Sequence, residues 1–240
     1  MKNYKKKIII TGCNGSIGSA LVSFFIKKKF IVIGLDKTKP RIKKMIFFNV
    51  NLSNTSKLNK IYKKIYKKYN SVDCLINCAG FIHNELLIKY QNGFKTHSIS
   101  NWKKVIENNL NTTFYNTKMF VDYFASIEKN DQIIINFSSI NSEGLVGQSS
   151  YSAAKAAIEV ATKVWSKELS IFRIRVACIS PGYINVESTN QNITKIDKEK
   201  ITNSIPLKRL GKINEIISGI NFIINNKYFN GKTLKIDGGK

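Results

Sequence analysis

The chain has 240 residues, 43% of them hydrophobic, and a formal net charge of +24 from 39 Lys+Arg against 15 Asp+Glu. That length and composition suit one folded domain over residues 1–240 with a sizeable core, and exclude a disordered or fibrous chain. The charge comes from scattered lysines with only four arginines (Arg41, Arg173, Arg175, Arg209) and no nucleic-acid-binding motif, so it reads as a solvated surface open to acidic substrates or acidic carrier proteins.

In chain order, short apolar runs alternate with longer amphipathic ones. KIIIT (7–11) predicts a strand and SIGSALVSFFIKKK (16–29) a helix; FIVIGLD (30–36) and MIFFNV (45–50) predict two further strands. TSKLNKIYKKIYKKY (55–69) predicts a helix with Leu58, Ile61, Ile65 and Tyr69 on one face and lysines opposite. VDCLINCAG (72–80) reads as strand then turn, NWKKVIENNLNTTFYNTKMFVDYF (101–124) as one long helix, and QIIINFSS (132–139) as a strand. SYSAAKAAIEVATKVWSKELS (150–170) is helical, RIRVACIS (173–180) a strand, INEIISGINFII (213–224) helical and KTLKI (232–236) a last strand. Strands separated by helices imply right-handed βαβ units, and strands as uniformly apolar as IVIGL suit a sheet covered on both faces. The expected fold class is α/β: a single Rossmann-like doubly wound parallel sheet in three layers (α/β/α), with its ligand outside the carboxyl ends of the strands.

The apolar run after MKNYKKK is too short for a signal-peptide core or a membrane span, so no membrane association is expected and the expected location is cytoplasmic. Cys13, Cys74, Cys78 and Cys178 show neither zinc spacing nor a compact disulfide frame; they read as free thiols in a reducing compartment, and no metal is expected.

The strand ends carry the chemistry. TGCNGSIG (11–18) opens a helix with Gly12, Gly15 and Gly18, where backbone N–H groups can approach a pyrophosphate; a tight turn needing positive φ is the plainer alternative. Asp36 ends the second strand, where a carboxylate can accept ribose hydroxyls and repel a 2′-phosphate. That favours NAD over NADP, with Lys37 and Lys39 as an opposing pull toward phosphate. NCAG (77–80) supplies small residues against which a ribose can lie. Asn108 and Asn109 sit inside the long helix, where Asn is a poor former. Ser138 and Ser139 end the fifth strand. YSAAK (151–155) then sets Tyr151 and Lys155 at i and i+4, on one helix face, and a cation beside a phenol favours phenolate.

In this order TGCNGSIG, NCAG, NNL (108–110), the Ser138–Ser139 pair, YSAAK, SPG (180–182) and PLKRLG (206–211) resemble the short-chain dehydrogenase/reductase family in its single-domain branch. The resemblance runs to IDGG (236–239) and is to 3-oxoacyl-[acyl-carrier-protein] reductases in particular. It implies an oxidoreductase that interconverts a ketone and a secondary alcohol with NAD, the preferred cofactor, or NADP. Tyr151 would give a proton to the carbonyl or take one from the alcohol. Lys155 would bind the nicotinamide ribose and lower the phenol's pKa, a serine would orient the substrate oxygen, and Asn109 would distort its helix to hold a water. The family's spacing to the tyrosine points to Ser138; the strand end points to Ser139, which is preferred because loops change length more readily. Implied cofactor contacts fall on Gly12, Asn14, Gly15, Ser16, Ile17, Gly18, Asp36, Asn51, Leu52, Asn77, Ala79, Gly80, Tyr151, Lys155, Pro181, Gly182 and Ile184.

The implied substrate is a small-molecule carbonyl or alcohol, carried on an acyl carrier protein or else a sugar or polyol intermediate of surface-polysaccharide biosynthesis. Self-association through residues 101–124 and 150–170 is expected, as a homotetramer first and a dimer second; no nucleic-acid partner is expected. The competing class is a non-catalytic dinucleotide-binding regulator or RNA-associated protein, against which stand the four competent residues Asn109, Ser139, Tyr151 and Lys155.

Several positions depart from the family pattern. Ser16 replaces the middle glycine, Asn51 stands where an acid is usual, and Val186 stands where a threonine is common. Residues around YQNGFKTHS (90–98) lengthen the segment between Gly80 and Trp102 and are expected to shape the substrate pocket or a subunit contact. His83 and His97 in that segment read as loop or surface histidines. The polar stretch 183–205 is expected to close over substrate as a lid.

Overall fold

The structure is a computed structural model that describes residues 5–40, 42–125, 131–186 and 195–240. Strands β1 (Lys7–Thr11), β2 (Ile31–Asp36), β3 (Ile46–Asn49), β4 (Cys74–Asn77), β7 (Gln132–Phe137), β8 (Ile174–Pro181) and β9 (Thr233–Ile236) form one seven-stranded sheet. Its order is β3-β2-β1-β4-β7-β8-β9, and every neighbouring pair is parallel. From β1 the chain winds outward to β2 and β3, then returns to the other side of β1 with β4. The switch point therefore lies between β1 and β4, where such sheets leave a crevice.

Helices α1 (Ser16–Lys27), α2 (Thr55–Tyr69), α3 (Ile99–Ile106), α4 (Thr112–Phe124), α5 (Ser149–Glu168), α6 (Lys195–Ser204) and α7 (Ile213–Asn225) accompany the sheet. Period-two alternation sorts the strand residues between two cores. Ile8 and Ile10 pack in the core that contains Leu21 and Phe25 of α1 and Ile216 and Ile220 of α7. Ile9 packs in the other, with Leu58 and Ile65 of α2 and Phe120 and Phe124 of α4. Each such side chain contributes roughly 1.5–3 kcal/mol on burial. The apolar stripe expected on α2 is buried at Leu58, Ile61 and Ile65, and its ends are capped by side chain and backbone. The Asn54 side chain accepts the Lys57 N–H at 2.9 Å, and Asn70 closes the helix at φ 54°. At the far end of the sheet, Arg175 of β8 donates to the carbonyls of Ile223, Ile224, Asn226 and Phe229, satisfying the open C-terminus of α7.

Three segments differ from the sequence reading. The long helix starts earlier, at Ile99 behind the Ser98 cap, and widens into a π turn at Glu107–Asn111 before continuing as α4. Residues 88–96 are a two-stranded antiparallel hairpin, β5 (Ile88–Tyr90) and β6 (Phe94–Thr96), with Asn92 and Gly93 at φ 52° and 108° in its turn. An Asn-Gly pair between alternating residues is a hairpin signal, so this feature was present in the sequence as a turn signature. Of the expected lid, residues 187–194 lie outside the described residues, and 195–204 form α6.

Candidate active site

Gly12 follows β1 at φ 65°, a left-handed conformation that glycine adopts without strain, and a Cβ there would stand 2.7 Å from the Cα of Ala79. The loops after β1 and β4 thus meet as bare backbone at the switch point. Thr11 Oγ1 fastens them by accepting the N–H groups of Cys78 (3.1 Å) and Ala79 (3.2 Å). Gly15 and Ser16 lead into α1, whose first turn carries no acidic side chain to repel an anion. The Asp36 carboxylate is tied to this turn: it accepts the Asn14 N–H at 3.0 Å, the Thr38 N–H at 3.0 Å and the Thr38 hydroxyl at 2.9 Å. The Asn14 side chain returns the tie through Thr38 O at 2.8 Å.

The remaining expected cofactor residues divide by what their side chains do. Asn77 is buried, and its amide nitrogen donates to Thr117 Oγ1 at 3.1 Å and Asn136 Oδ1 at 2.9 Å, inside the fold. Leu52 and Ile17 pack in the two cores. Asn51 is exposed and its Oδ1 accepts the Ser53 N–H. Pro181 ends β8, the Gly182 N–H donates to Ile236 O at 2.8 Å, and Ile184 is buried against Gly211.

The four expected catalytic residues converge on the carboxyl edge of the sheet. Asn109 lies in the π turn and is fully buried. Its amide donates to Phe81 O at 2.7 Å and Val105 O at 2.9 Å, and its Oδ1 accepts the Phe81 N–H at 3.2 Å. The extra residue per turn frees helical carbonyls for such a side chain, which explains why an asparagine stands where helix propensity disfavours it. A Cβ on Gly80 would stand 3.0 Å from Asn109 Oδ1 and 3.7 Å from Lys155 Nζ. Asn109, Lys155 and the backbone of Gly80 therefore share one small space.

The two serines separate cleanly. Ser138 is buried and turned back into the protein, with its Oγ 2.6 Å from Glu159 Oε1 and 3.2 Å from Lys155 O. Ser139 lies beyond the end of β7 and partly offsets the rise in the Tyr151 pKa. Ser138 is thus spent inside the fold, which leaves Ser139, the serine at the strand end, toward the phenol.

Tyr151 and Lys155 share one face of α5 and are both buried, with Nζ 5.5 Å from the centre of the phenol ring. The expectation of a lowered phenol pKa is corrected by the structure. Burial pushes Tyr151 up to about 12, offset only by the hydrogen bond from Ser139. Burial likewise depresses Lys155 to about 8, and its ammonium donates at 2.8 Å to Phe137 O rather than to the phenol oxygen. At neutral pH the pair is a filled proton donor beside a cation.

His83 and His97 are likewise not idle surface groups. His97 Nδ1 lies 2.7 Å and His83 Nε2 3.3 Å from the same Glu85 oxygen, which also accepts the Asn101 amide at 3.0 Å. The His97 side chain is only 6% exposed. The hydrogen bonds from Asn101, the Ser98 backbone, His97 and His83 hold the Glu85 carboxyl down at about 2. The Glu85 N–H in turn donates to Gly147 O at 2.7 Å, joining the loop between β4 and β5 to the segment that precedes Tyr151. Sequence inspection did not find Glu85; the two histidines around it were the available signal.

The family model for short chain dehydrogenases matches residues 6–197, and the chain belongs to that family. It is an oxidoreductase acting on a CH–OH group with a nicotinamide dinucleotide. A 3-oxoacyl-[acyl-carrier-protein] reductase of Thermotoga maritima is 30% identical over 98% of this chain and 97% of its own. One from Buchnera aphidicola subsp. Baizongia pistaciae is 33% identical over 100% and 98%. A short chain dehydrogenase of Leptospira borgpetersenii, solved with bound NAD+, superposes with a TM-score of 0.86 at 27% identity, covering 98% of this chain and 92% of that one. The residues here fit such a dinucleotide: a backbone cradle at Gly12 and Ala79, the N-terminus of α1, and the Gly80–Asn109–Lys155 space. Among the described residues, no helix is long and apolar enough to cross a membrane.

Proposed function

We propose that the protein is a ketone reductase that prefers NADH and acts on a 3-oxoacyl group carried on an acidic acyl carrier protein. The observation that carries the reading is the convergence of Ser139 on the buried Tyr151 hydroxyl, with Lys155 on the same helix face. In this reading the dinucleotide, when bound, supplies the hydride. Ser139 donates a hydrogen bond to the carbonyl oxygen, and Tyr151 donates the proton that completes the alcohol. A phenol raised to about 12 is fully protonated at neutral pH and available as a proton donor. Lys155 and the backbone around Ala79 and Gly80 hold the ribose, while Asn109 fixes the loop that carries Gly80.

The cofactor preference follows from Asp36. Its carboxylate is a fixed negative charge on the glycine turn, where a 2′-phosphate would be repelled. The carrier-bound substrate follows from the similarity to the two reductases and from the net charge of +24, which attracts an acidic partner. Self-association, as a homotetramer before a dimer, is supported by exposed Phe114 on α4 and Val160 and Val164 on α5. The whole chain, 1–240, is read as one dinucleotide-binding and catalytic domain. The test is reduction of acetoacetyl thioesters of acyl carrier protein and of coenzyme A with NADH and with NADPH. Faster turnover with NADH and with the carrier thioester is expected. No turnover of either thioester refutes the substrate, and a preference for NADPH refutes the role of Asp36.

A further inference from the structure

Between the loop that joins β4 to β5 and Ser139 runs a chain of amides that the reaction as described does not use. Gln148 is 8% exposed and stands immediately before α5, in the segment that leads to Tyr151. Its Nε2 donates to Asn84 Oδ1 at 2.8 Å, and its Oε1 accepts Asn141 Nδ2 at 3.0 Å. Both ends of the Gln148 amide are thereby fixed, which sets its orientation. Asn141 then uses its backbone: its N–H donates to Ser139 Oγ at 3.2 Å. An oxygen that accepts a donor on one side directs its own proton elsewhere. Ser139 also acts on the Tyr151 phenol, whose rise in pKa it partly offsets. On the opposite side of the same turn, Glu159 accepts the Ser138 and Ser142 hydroxyls at 2.6 and 2.8 Å, so the segment is held from both flanks.

The anchor of this chain is the loop between β4 and β5, which leads into the insertion. Asn84 adjoins Glu85, whose carboxylate gathers His83, His97 and Asn101 and whose N–H is bonded to Gly147 O. The backbone around Asn84 is therefore fixed at the base of the β5–β6 hairpin, and Gln148 is the bridge from it to the serine turn.

We propose that Gln148 is a positioning residue for Ser139: braced by Asn84 on the loop between β4 and β5, it holds Asn141 so that the Ser139 proton is aimed at the reacting oxygen. This inference rests on the reading of Ser139 as the residue that binds the carbonyl. The loop between β4 and β5 then contributes to the orientation of the reacting groups, although none of its residues touches substrate in this role. Loss of one such hydrogen bond lowers kcat by about five- to tenfold when the group it orients acts in the transition state.

The test is a double-mutant cycle on acetoacetyl-coenzyme A and a panel of small ketones, with Gln148→Ala, Ser139→Ala and the pair. Dinucleotide affinity by fluorescence titration and thermal melting are recorded for each variant. Asn84→Ala serves as the second variant, because it breaks the same bridge from the side of the β4–β5 loop without touching the start of α5. The expected result is a five- to tenfold lower kcat for Gln148→Ala and for Asn84→Ala, with unchanged dinucleotide affinity and KM moved less than kcat. In the Ser139→Ala background neither substitution lowers kcat further. Full additivity in that background, or wild-type kcat in both single variants, overturns the positioning role and leaves the reading of Ser139 intact. Wild-type turnover by Ser139→Ala, or no turnover by the wild type on any of these ketones, overturns the reading and this inference with it.

Discussion

The two flanks of the crevice are built by different means. On the β1–β4 flank, closeness comes from backbone: Gly12 lies against Ala79 with no room for a side chain, and Thr11 ties the two loops through their N–H groups. On the β7–α5 flank, closeness comes from hydrogen-bonded side chains, Asn84 to Gln148 and Gln148 to Asn141. A backbone cradle suits a ligand recognised by its phosphates and riboses, because N–H groups and open space are independent of side-chain identity. A side-chain relay suits a reacting centre, where the direction of one proton matters. Damage to the first flank should abolish cofactor binding, and damage to the Gln148–Asn141–Ser139 relay on the second should slow chemistry while leaving the cofactor bound.

The largest expected effect on the first flank is from Gly12→Val. The left-handed φ of 65° and the contact with Ala79 Cα together should cost about 3 kcal/mol of stability and reduce dinucleotide affinity by at least about a hundredfold. Thermal melting and fluorescence titration with NADH measure both; unchanged affinity would break the distinction between the flanks.

Nearly as large is the titration of Lys155 in the cofactor-free protein. Burial depresses its folded pKa from 10.5 to about 8. Between those values the unfolded chain holds a proton that the folded protein has released, so stability rises with pH across this window. The gain is on the order of 3 kcal/mol relative to Lys155→Met, which lacks the group. Melting temperatures of both proteins measured from pH 8 to 10.5 would show the difference growing in favour of the wild type; a constant difference would mean that the ammonium is not desolvated.

A smaller effect, about tenfold, is expected from Asp36→Ala. Removing the carboxylate should lower the ratio of kcat/KM for NADH to that for NADPH without changing the KM for ketone. The smallest is Glu85→Gln. It weakens the contacts to His97 and His83 and should raise the ketone KM about threefold, with dinucleotide affinity unchanged. A change in dinucleotide affinity there would merge the two flanks into one.

The same difference explains what the sequence made legible. Strands, helices and the glycine turn are local patterns, so the sheet, the apolar stripe on α2 and the positions of Asn109, Tyr151 and Lys155 could be read directly. Ser139 could be preferred over Ser138 because a strand end is a local anchor. Glu85, Asn84, Asn141 and Gln148 could not be read, because their partners are fixed by tertiary contact rather than by periodicity. The raised phenol pKa was missed for a related reason: a cation at i+4 is visible in sequence, whereas the burial that outweighs it is not. The hairpin was missed although Asn92–Gly93 announced it, because every residue of β5 and β6 is exposed and the strands lack the one-sided burial pattern that marks a sheet.

The central claim, that Tyr151 is the proton donor of a reductase whose cofactor flank stands apart from it, is tested most directly by Tyr151→Phe. That substitution removes one hydroxyl and leaves the ring beneath Lys155. With dinucleotide affinity and acetoacetyl thioester reduction measured on the same preparation, the account predicts affinity within about twofold of wild type and turnover reduced about a thousandfold. Reduction by Tyr151→Phe at the wild-type rate would contradict it.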